Sequence, residues 1–323
     1  RLIPQMTRPI VLATQPMDQY AQTVLGRFGE CRVASDMSEL TLSREITEAV
    51  ALVVRGQAPV TAAVMDAAPN LRVIGRTGVG YDTIDIPAAT ARGIPVVHTP
   101  GVGARAVAEA AVAFMLALCK MIPYWDEQLK GGNWNARYGI QGKDLDSKTV
   151  GIVGFGRIGK LVAELLSPFQ MTILAHDPVH DAQTAQRLNV TMVGMDELLE
   201  RSDFLTLHLP EDAKTMGFIN RDKLSRLKKG SYLINLARGG VIESLDLIDE
   251  FLTNGHLGGA ALDVFNQEPP NLKHPIFRHK NILVSPHAMA TTEGAMRRIF
   301  KSMSDDMSAI LEGRAPQHVV NRE

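Results

Sequence analysis

The stretch that decides the fold reads Thr149-Val150-Gly151-Ile152-Val153-Gly154-Phe155-Gly156-Arg157-Ile158-Gly159. Its apolar first half predicts a buried parallel strand, and residues 158–166 have the composition of the helix that follows. Gly154 permits a tight turn, Gly156 lets the backbone approach a phosphate, and Gly159 lets the helix pack close to the strand. The amides at the helix start, at the positive end of its dipole, are suited to hold that phosphate.

A second strand follows at the spacing that a dinucleotide-binding unit requires. Residues 172–176 are largely apolar and lead into Asp177, and an acid about 20 residues past the glycines accepts hydrogen bonds from the ribose of NAD. The same carboxylate would repel the 2′-phosphate of NADP. The alternative is a glycine-rich turn followed by a surface aspartate. The strand, the spacing and the acid together favour NAD binding.

Composition limits the class of protein. The chain has 323 residues and a net charge of −1, which predicts about two domains and no electrostatic footprint for nucleic acid. We expect no membrane partner, because no apolar run reaches the roughly 18 residues of a membrane span. Cys31 and Cys119 lie far apart in apolar surroundings, which favours buried free thiols over a disulfide or a metal site, and a reducing, cytoplasmic setting. Residues 1–5 precede Met6, which has the character of a natural start, so we leave them out of the fold reasoning.

The first hundred residues alternate strand and helix, which predicts a parallel α/β domain. Strands are expected at residues 10–13, 49–54, 71–74 and 94–97, with helices near residues 20–28 and 60–67. A long helix at residues 104–121 and an irregular segment at residues 130–146 should follow.

A second alternating run follows the glycine loop and predicts a six- or seven-stranded doubly wound domain. Strands are expected at residues 190–193, 204–208, 231–235, 260–263 and 282–285, and helices at residues 196–200, 244–253 and 293–311. We predict a Rossmann-type dinucleotide-binding domain over residues 102–290. We also predict a discontinuous, flavodoxin-like α/β substrate domain over residues 6–101 and 291–323, to which the last helix returns. Because ligands bind beyond the carboxyl ends of such strands, we expect the active cleft where the two domains face each other.

Arg238 follows a buried strand and precedes two glycines, in Ile234-Asn235-Leu236-Ala237-Arg238-Gly239-Gly240. Little backbone bulk surrounds it, so a planar ligand can approach, and its guanidinium can bind a carboxylate through two hydrogen bonds. The alternative is a structural salt bridge at the strand end.

His287 and Glu268 end two further strands. Pro286 stops the strand before His287, which puts the imidazole at the carboxyl edge, where a histidine is a natural general base at neutral pH. Alternatively it is a capping or core histidine. Glu268 alone is an ordinary loop acid, but beside His287 it would fix the tautomer and favour the imidazolium. Because all three side chains end strands at one sheet edge, they are expected to act together.

From about Leu71 to Asn321 the chain closely resembles the D-isomer-specific 2-hydroxyacid dehydrogenases, the family of phosphoglycerate dehydrogenases and glyoxylate/hydroxypyruvate reductases. The resemblance is carried by the glycine loop and by runs that include Gly78-Val79-Gly80-Tyr81-Asp82, Val107-Ala108-Glu109, Ala237-Arg238-Gly239-Gly240, Leu262-Asp263-Val264-Phe265 and Ser285-Pro286-His287.

The resemblance implies an NAD-dependent enzyme that transfers a hydride between nicotinamide and a D-2-hydroxy acid or 2-keto acid. It implies that Arg238 binds the substrate carboxylate and carbonyl, that His287 is the acid/base and that Glu268 is its partner. The amides of Val79 and Gly80 would also bind the carboxylate. Cofactor contacts are implied for Gly154, Phe155, Gly156, Arg157, Ile158, Gly159, Asp177, Leu209, Leu236, Ala237 and Asp263, the last meeting the nicotinamide carboxamide.

Alternatives within the resemblance differ at single positions. Formate-oxidising relatives pair the histidine with glutamine, and phosphite-oxidising relatives have lysine where this chain has Val79, so Glu268 and Val79 argue against both. An NAD-sensing, corepressor-like interaction protein of the same fold is the remaining alternative. Met289 stands where relatives have a glycine-containing segment, which leaves the identity of the acid open.

We also expect a homodimer. The helix at residues 104–121 is apolar around much of its circumference, so it should be buried on more than one side. A second chain, contacting this helix and the segment 130–146, is the simplest cover, and the resemblance implies the same. The alternative is that other parts of the same chain cover the helix.

Overall fold

The computed structural model describes residues 8–322, and the expectation about residues 1–5 lies outside them. The chain divides into two compact units, one comprising Arg1–Gly103 and Thr292–Glu323 and the other Ala104–Thr291. The substrate and cofactor roles of the two domains stay predictions, as does the cleft between them.

The first unit is built on a five-stranded parallel sheet. Its strands are β1 (Ile10–Ala13), β2 (Glu30–Val33), β3 (Ala49–Val54), β4 (Val73–Arg76) and β5 (Val96–Val97). Its helices include α1 (Gln19–Leu25), α2 (Glu39–Glu45), α3 (Ala62–Asp66) and α4 (Ile86–Ala91). The strand order β2-β1-β3-β4-β5 is the flavodoxin-like order, as expected.

The second unit is built on a seven-stranded parallel sheet. Its strands are β6 (Thr149–Val153), β7 (Thr172–His176), β8 (Val190–Met192), β9 (Phe204–Leu207), β10 (Ser231–Asn235), β11 (Leu257–Leu262) and β12 (Ile282–Val284). Its helices include α5 (Ala104–Cys119), α6 (Ile122–Lys130), α7 (Arg157–Leu166), α8 (Ala182–Arg187), α9 (Met195–Arg201), α10 (Arg221–Arg226) and α11 (Leu245–Thr253).

The order of this sheet, β12-β11-β10-β9-β6-β7-β8, reverses between β6 and β9. This is the Rossmann-type arrangement that the sequence predicts, and the reversal marks the switch point at which such sheets bind their ligands. Gly154 follows β6 and His208 follows β9, so the glycine loop begins at that point.

The last helix, α12 (Glu293–Leu311), has the predicted bounds and packs on the sheet of the first unit. Phe300, Met303 and Met307 lie in one apolar cluster with residues of β1, β3 and β4. Gly75 of β4 is required for this packing, because a Cβ built there would lie 2.2 Å from Sδ of Met307. The tail then returns to β5, where Oδ1 of Asn321 accepts a hydrogen bond from the amide of Val96 at 2.8 Å.

Several predicted bounds are wrong. The strands expected at residues 71–74 and 94–97 are β4 and the two-residue β5, and the strand expected at 260–263 ends before Asp263. The segment 130–146 is not wholly irregular, since a 3₁₀ helix spans Trp134–Tyr138.

Cys119 is buried, but Cys31 on β2 is only partly buried, so the expectation of two buried thiols is wrong for Cys31. Both thiols are free.

Helix α5 is covered largely within its own unit. Ala108, Ala111 and Met115 are fully buried in a cluster that also contains residues of β6, α7 and β10. The apolar circumference is therefore explained mainly by packing within one chain, rather than by a second chain as we expected. Exposed apolar side chains lie instead on α6 and the segment after it, and include Ile122, Leu129, Trp134, Tyr138 and Ile140.

Within residues 8–322 no single helix is long and apolar enough to cross a membrane. Helices α5 and α6 pass that test of length and composition only as a pair, and they are bent by 56° at the break between them. The same residues contain no cluster of three or more histidine, cysteine, aspartate or glutamate side chains that could hold a metal ion.

Candidate active site

The three glycines of the loop after β6 are required for different reasons. Gly154 has φ +94°, and a Cβ built on it would lie 2.4 Å from the carbonyl oxygen of His208. A Cβ on Gly159 would lie 2.1 Å from the carbonyl oxygen of Gly154, so α7 can approach β6 only with glycine there. A Cβ on Gly156 would meet nothing within 4 Å. Packing therefore explains Gly154 and Gly159, whereas Gly156 borders open space that a phosphate can occupy.

Asp177 is joined to this loop. It follows β7, and its Oδ2 accepts a hydrogen bond from the amide of Phe155 at 2.8 Å, while Oδ1 accepts one from the amide of Val179 at 2.7 Å. The carboxylate thus lies beside the glycine loop and is held in place by backbone groups. Together with the cradle at Gly156 and the start of α7, this arrangement fits a dinucleotide. The other predicted contacts around it are Arg157, Ile158, Leu209, Leu236 and Ala237, which begin α7 or follow β9 and β10.

Arg238 lies in a turn that Asn235 shapes. The buried side chain of Asn235 accepts a hydrogen bond from the amide of Ala237 at 3.0 Å and donates one to the carbonyl oxygen of Arg238 at 2.9 Å. Nη1 of Arg238 donates to the carbonyl oxygen of Ala237 at 2.8 Å. A Cβ on Gly239 would lie 1.9 Å from the backbone of Phe265, so the turns after β10 and β11 touch. Sequence reasoning missed Asn235, although an asparagine two residues before its backbone partner is a known turn signal.

Glu268 and His287 meet as predicted. Oε2 of Glu268 lies 2.9 Å from Nδ1 of His287, and Oε1 accepts a hydrogen bond from the amide of Phe265 at 3.1 Å. The side chain of Glu268 is 18% exposed and that of His287 43% exposed, so His287 is not a core histidine. His287 has φ +52°, a left-handed conformation that a non-glycine residue adopts only when its surroundings impose it. The sheet order places the turns after β10, β11 and β12 side by side.

Asp263 imposes that conformation. Its carbonyl oxygen accepts a hydrogen bond from the amide of His287 at 2.8 Å. Its buried carboxylate accepts bonds from the hydroxyl of Ser285 at 2.6 Å and from the amide of Ala288 at 2.9 Å. Oδ2 accepts a longer bond, 3.3 Å, from the amide of Met289. Asp263 therefore organises the loop that carries His287, a role that sequence reasoning missed. Its predicted contact with the nicotinamide carboxamide stays a prediction.

His208 is a second residue that sequence reasoning missed. Burial lowers the pKa of His208 to about 3, so the imidazole is neutral. Its Nε2 lies 2.8 Å from the hydroxyl of Thr206, and its Nδ1 has no hydrogen-bond partner among the described residues. His208 directly follows the apolar strand β9, and nothing in the sequence around it indicates a neutral histidine beside the glycine loop.

Val79 and Gly80 belong to the first unit, in the loop after β4. Gly78 anchors this loop through its hydrogen bonds with Thr99, and its φ is +106°. The carbonyl oxygens of Val79 and Gly80 face His98 and Arg76, at 3.0 and 2.7 Å. Within residues 8–322 the amides of Val79 and Gly80 donate no hydrogen bond. They are therefore open to a ligand, but their predicted contact with the substrate carboxylate stays a prediction.

Comparison with known proteins agrees with this geometry. The family model "D-isomer specific 2-hydroxyacid dehydrogenase, NAD binding domain" matches residues 112–289, more than half of the chain. A glyoxylate reductase of Thermofilum pendens is 41% identical over 287 residues, which are 87% of this chain and 84% of that protein. The chain belongs to the D-isomer specific 2-hydroxyacid dehydrogenase family. The matched residues, 112–289, correspond to the NAD-binding domain of that family.

Two further relatives match nearly the whole of this chain. A D-3-phosphoglycerate dehydrogenase of Archaeoglobus fulgidus is 38% identical over 312 residues, 96% of this chain but 59% of that protein. The chain thus spans about three-fifths of the length of the phosphoglycerate dehydrogenases that it matches. The crystal structure of a D-lactate dehydrogenase from Aquifex aeolicus with NAD and lactic acid has a TM-score of 0.84 and 26% identity. That match covers 94% of this chain and 96% of the other.

Proposed function

We propose that this chain is an NAD-dependent dehydrogenase that interconverts a D-2-hydroxy acid and the corresponding 2-keto acid. The observation that carries the proposal is the pair formed by Glu268 and His287, 2.9 Å apart, at the carboxyl edge of an NAD-binding sheet. An imidazole held by a largely buried carboxylate is an arrangement suited to general acid/base catalysis. The names of the relatives, a glyoxylate reductase and a D-3-phosphoglycerate dehydrogenase among them, support the same chemistry.

When bound, NAD supplies the acceptor or donor of the hydride. The residues of this chain supply the proton and the orientation. Because Nδ1 of His287 faces Glu268, Nε2 is the nitrogen that exchanges a proton with the substrate oxygen. In oxidation His287 removes the hydroxyl proton, and in reduction it returns a proton to the carbonyl oxygen as charge develops there. The Glu268 carboxylate stabilises the imidazolium that forms in one direction and reacts in the other.

Arg238 is proposed to bind the substrate carboxylate. Its guanidinium is planar and permanently charged, so it can orient a carboxylate through two parallel hydrogen bonds. The Asn235 side chain fixes the turn on which Arg238 lies, which limits the freedom lost when substrate binds. Arg238→Lys should therefore raise the KM for the acid strongly, because an ammonium does not reproduce the bidentate geometry.

Turnover with a panel of acids tests the function. NADH oxidation would be followed with glyoxylate, hydroxypyruvate, pyruvate, phenylpyruvate and 3-phosphohydroxypyruvate. Turnover with at least one acid, lost in His287→Ala, is the expected result. NADH binding without turnover of any 2-keto acid would contradict the proposal and would favour the corepressor-like alternative.

We further propose that the chain forms homodimers and acts in the cytoplasm. The exposed apolar side chains on α6 and on Trp134–Tyr138 support the first. The two free thiols, which suit a reducing compartment, support the second. We propose no nucleic-acid partner, because the net charge is −1. Cell fractionation with an antibody against the chain would test the location.

A further inference from the structure

A charged pair, Lys160 and Asp181, lies near the loop that carries Asp177, the acid predicted to bind the ribose of NAD. Lys160 is the fourth residue of α7, and its Nζ lies 2.5 Å from Oδ2 of Asp181, the residue that caps α8. The same Nζ lies 5.8 Å from the ring centroid of Phe155, whose amide donates to Asp177. Both side chains of the pair are about one-third exposed. The ammonium is therefore at the border of the loop 177–181, which carries both acids, and within reach of solvent.

The pair is relevant to NADP because NADP carries a phosphate on its adenosine ribose, the group that Asp177 is predicted to contact. A 2′-phosphate carries about two negative charges at neutral pH, and it is bound well only where a cation is free to meet it. Here the ammonium of Lys160 is already paired with Asp181. Asp181 is fixed by a hydrogen bond from the amide of Thr184 at 3.1 Å, and the hydrogen bond from Lys160 together with those from Thr184 lowers the pKa of Asp181 to about 2. The carboxylate therefore stays ionised throughout the neutral range and remains available to pair with the ammonium of Lys160.

We propose that Lys160 and Asp181 form a second determinant of cofactor choice, in which Asp181 competes with a 2′-phosphate for the ammonium of Lys160. Asp177 repels the phosphate directly. Asp181 pairs with the Lys160 ammonium, whose positive charge would otherwise offset that repulsion. The inference rests on the proposed NAD-dependent activity, but it concerns binding of the dinucleotide and can be measured without turnover.

Removal of Asp177 alone should consequently give poor use of NADPH, because Lys160 remains engaged. Asp181→Asn releases the ammonium at little structural cost, since asparagine caps helices as well as aspartate does and retains an oxygen for the amide of Thr184. The double variant Asp177→Ala/Asp181→Asn should bind NADPH about 10-fold to 100-fold more tightly than Asp177→Ala, the worth of one new charge-assisted hydrogen bond. High salt should reduce the gain, because Lys160 is partly exposed.

The experiment measures NADPH and NADH dissociation constants by nucleotide fluorescence, and kcat/KM where the variants turn over. Adding Lys160→Met to the double variant should abolish the gain for NADPH. A matched control is Lys223→Met, which removes another partly exposed lysine near a phenylalanine ring in the same unit and should leave the gain intact. A gain that survives Lys160→Met, or a double variant no better than Asp177→Ala, would overturn the proposal.

Two further measurements keep the outcomes distinct. Thermal unfolding of each variant separates loss of fold from loss of binding. If the double variant unfolds, Asp181→Asn alone must still improve NADPH binding relative to the natural chain, and no improvement there refutes the inference. Failure of the proposed function would look different, because the natural chain would then fail to turn over any 2-keto acid with NADH whatever its preference between the dinucleotides.

Discussion

Oε2 of Glu268 lies 2.9 Å from Nδ1 of His287, while Oε1 of the same carboxylate accepts a hydrogen bond from the amide of Phe265. One carboxylate thus joins the turn after β11 to the loop after β12. A carboxylate accepts hydrogen bonds at both oxygens, whereas an amide accepts at one atom and donates at the other. Glutamate can therefore accept from the Phe265 amide and from a protonated Nδ1 at the same time, whereas glutamine can accept from only one of them.

We expect His287→Ala to lower kcat by about 10²–10⁴-fold, the usual contribution of a general acid or base. The imidazole is nearly half exposed, and the φ of +52° suits alanine poorly, so His287→Asn is the better matched variant for stability. Steady-state turnover and the NADH dissociation constant would be measured for both. NADH binding should persist, and near-normal turnover in either variant would remove His287 from the mechanism.

Glu268→Gln should shift the pH dependence of reduction toward lower pH. The imidazolium loses a charged partner, so the protonated form that donates to the substrate is less favoured. If the glutamine oxygen keeps the bond from the Phe265 amide, its NH₂ group faces Nδ1 and further disfavours the imidazolium. The pH profile of kcat/KM would be compared with that of the natural chain. An unchanged profile would leave Glu268 a structural residue.

Local signals predicted all seven strands of the second unit, but not the edge strand β2 of the first unit or several short helices. The apolar run of β6, the glycines and the acid after β7 are all contiguous in sequence, so their roles could be read directly. Strand β2, Glu-Cys-Arg-Val, was missed because it lies at the edge of its sheet and is mostly exposed. Helices α2, α4, α8 and α10 have six or seven residues each, too few for the apolar period to stand out.

Contacts in the site could be predicted where strand order brings residues together, but not where they depend on detailed geometry between distant residues. The meeting of Glu268 with His287 followed from strand order, because neighbouring parallel strands end at one edge. The role of Asp263 could not follow, because its partners Ser285, Ala288 and Met289 are more than 20 positions away and its geometry depends on the exact depth of β11 and β12. For the same reason the sequence could not show that Lys160 faces Asp181.

Alanine at the glycines should separate folding from cofactor binding. Gly154→Ala should lower the free energy of unfolding by about 1–2 kcal/mol for the left-handed backbone alone, and more because the new Cβ would contact the His208 carbonyl. Gly156→Ala should leave stability nearly unchanged, since its Cβ meets nothing in the protein, yet weaken NADH binding. Denaturant unfolding and fluorescence titration would measure the two effects. Unaltered NADH affinity in Gly156→Ala would contradict the assignment of that space to a phosphate.

The natural chain should use NADH in preference to NADPH. Asp177 is held beside the glycine loop by the Phe155 and Val179 amides, where it can accept hydrogen bonds from ribose hydroxyls and repel a 2′-phosphate. Asp177→Ala should reduce kcat/KM for NADH more than for NADPH. Because that change also removes two bonds that hold the loop, Asp177→Asn, which keeps one acceptor oxygen, is the control. Equal kcat/KM for both dinucleotides in the natural chain would refute the assignment.

The last prediction concerns assembly. Trp134 and Tyr138 are 62% and 77% exposed, and the Arg137 guanidinium lies 5.4 and 5.3 Å from their ring centroids. Tryptophan, tyrosine and arginine are the side chains that contribute most to protein interfaces, and Leu129 on α6 adds exposed apolar surface nearby in sequence. We therefore expect light scattering to report a dimer at micromolar concentration.

Leu129→Glu combined with Trp134→Glu should convert that dimer to a monomer, because each change places a charge in a surface that must lose water on association. The matched control is Leu272→Glu, a similarly exposed leucine in the same unit but outside this segment, which should leave the dimer intact. A natural chain that is monomeric at micromolar concentration would refute the dimer. A dimer unaffected by the double change would place the interface elsewhere, since the exposed side chains of α6 and of Trp134–Tyr138 would then contribute nothing to it.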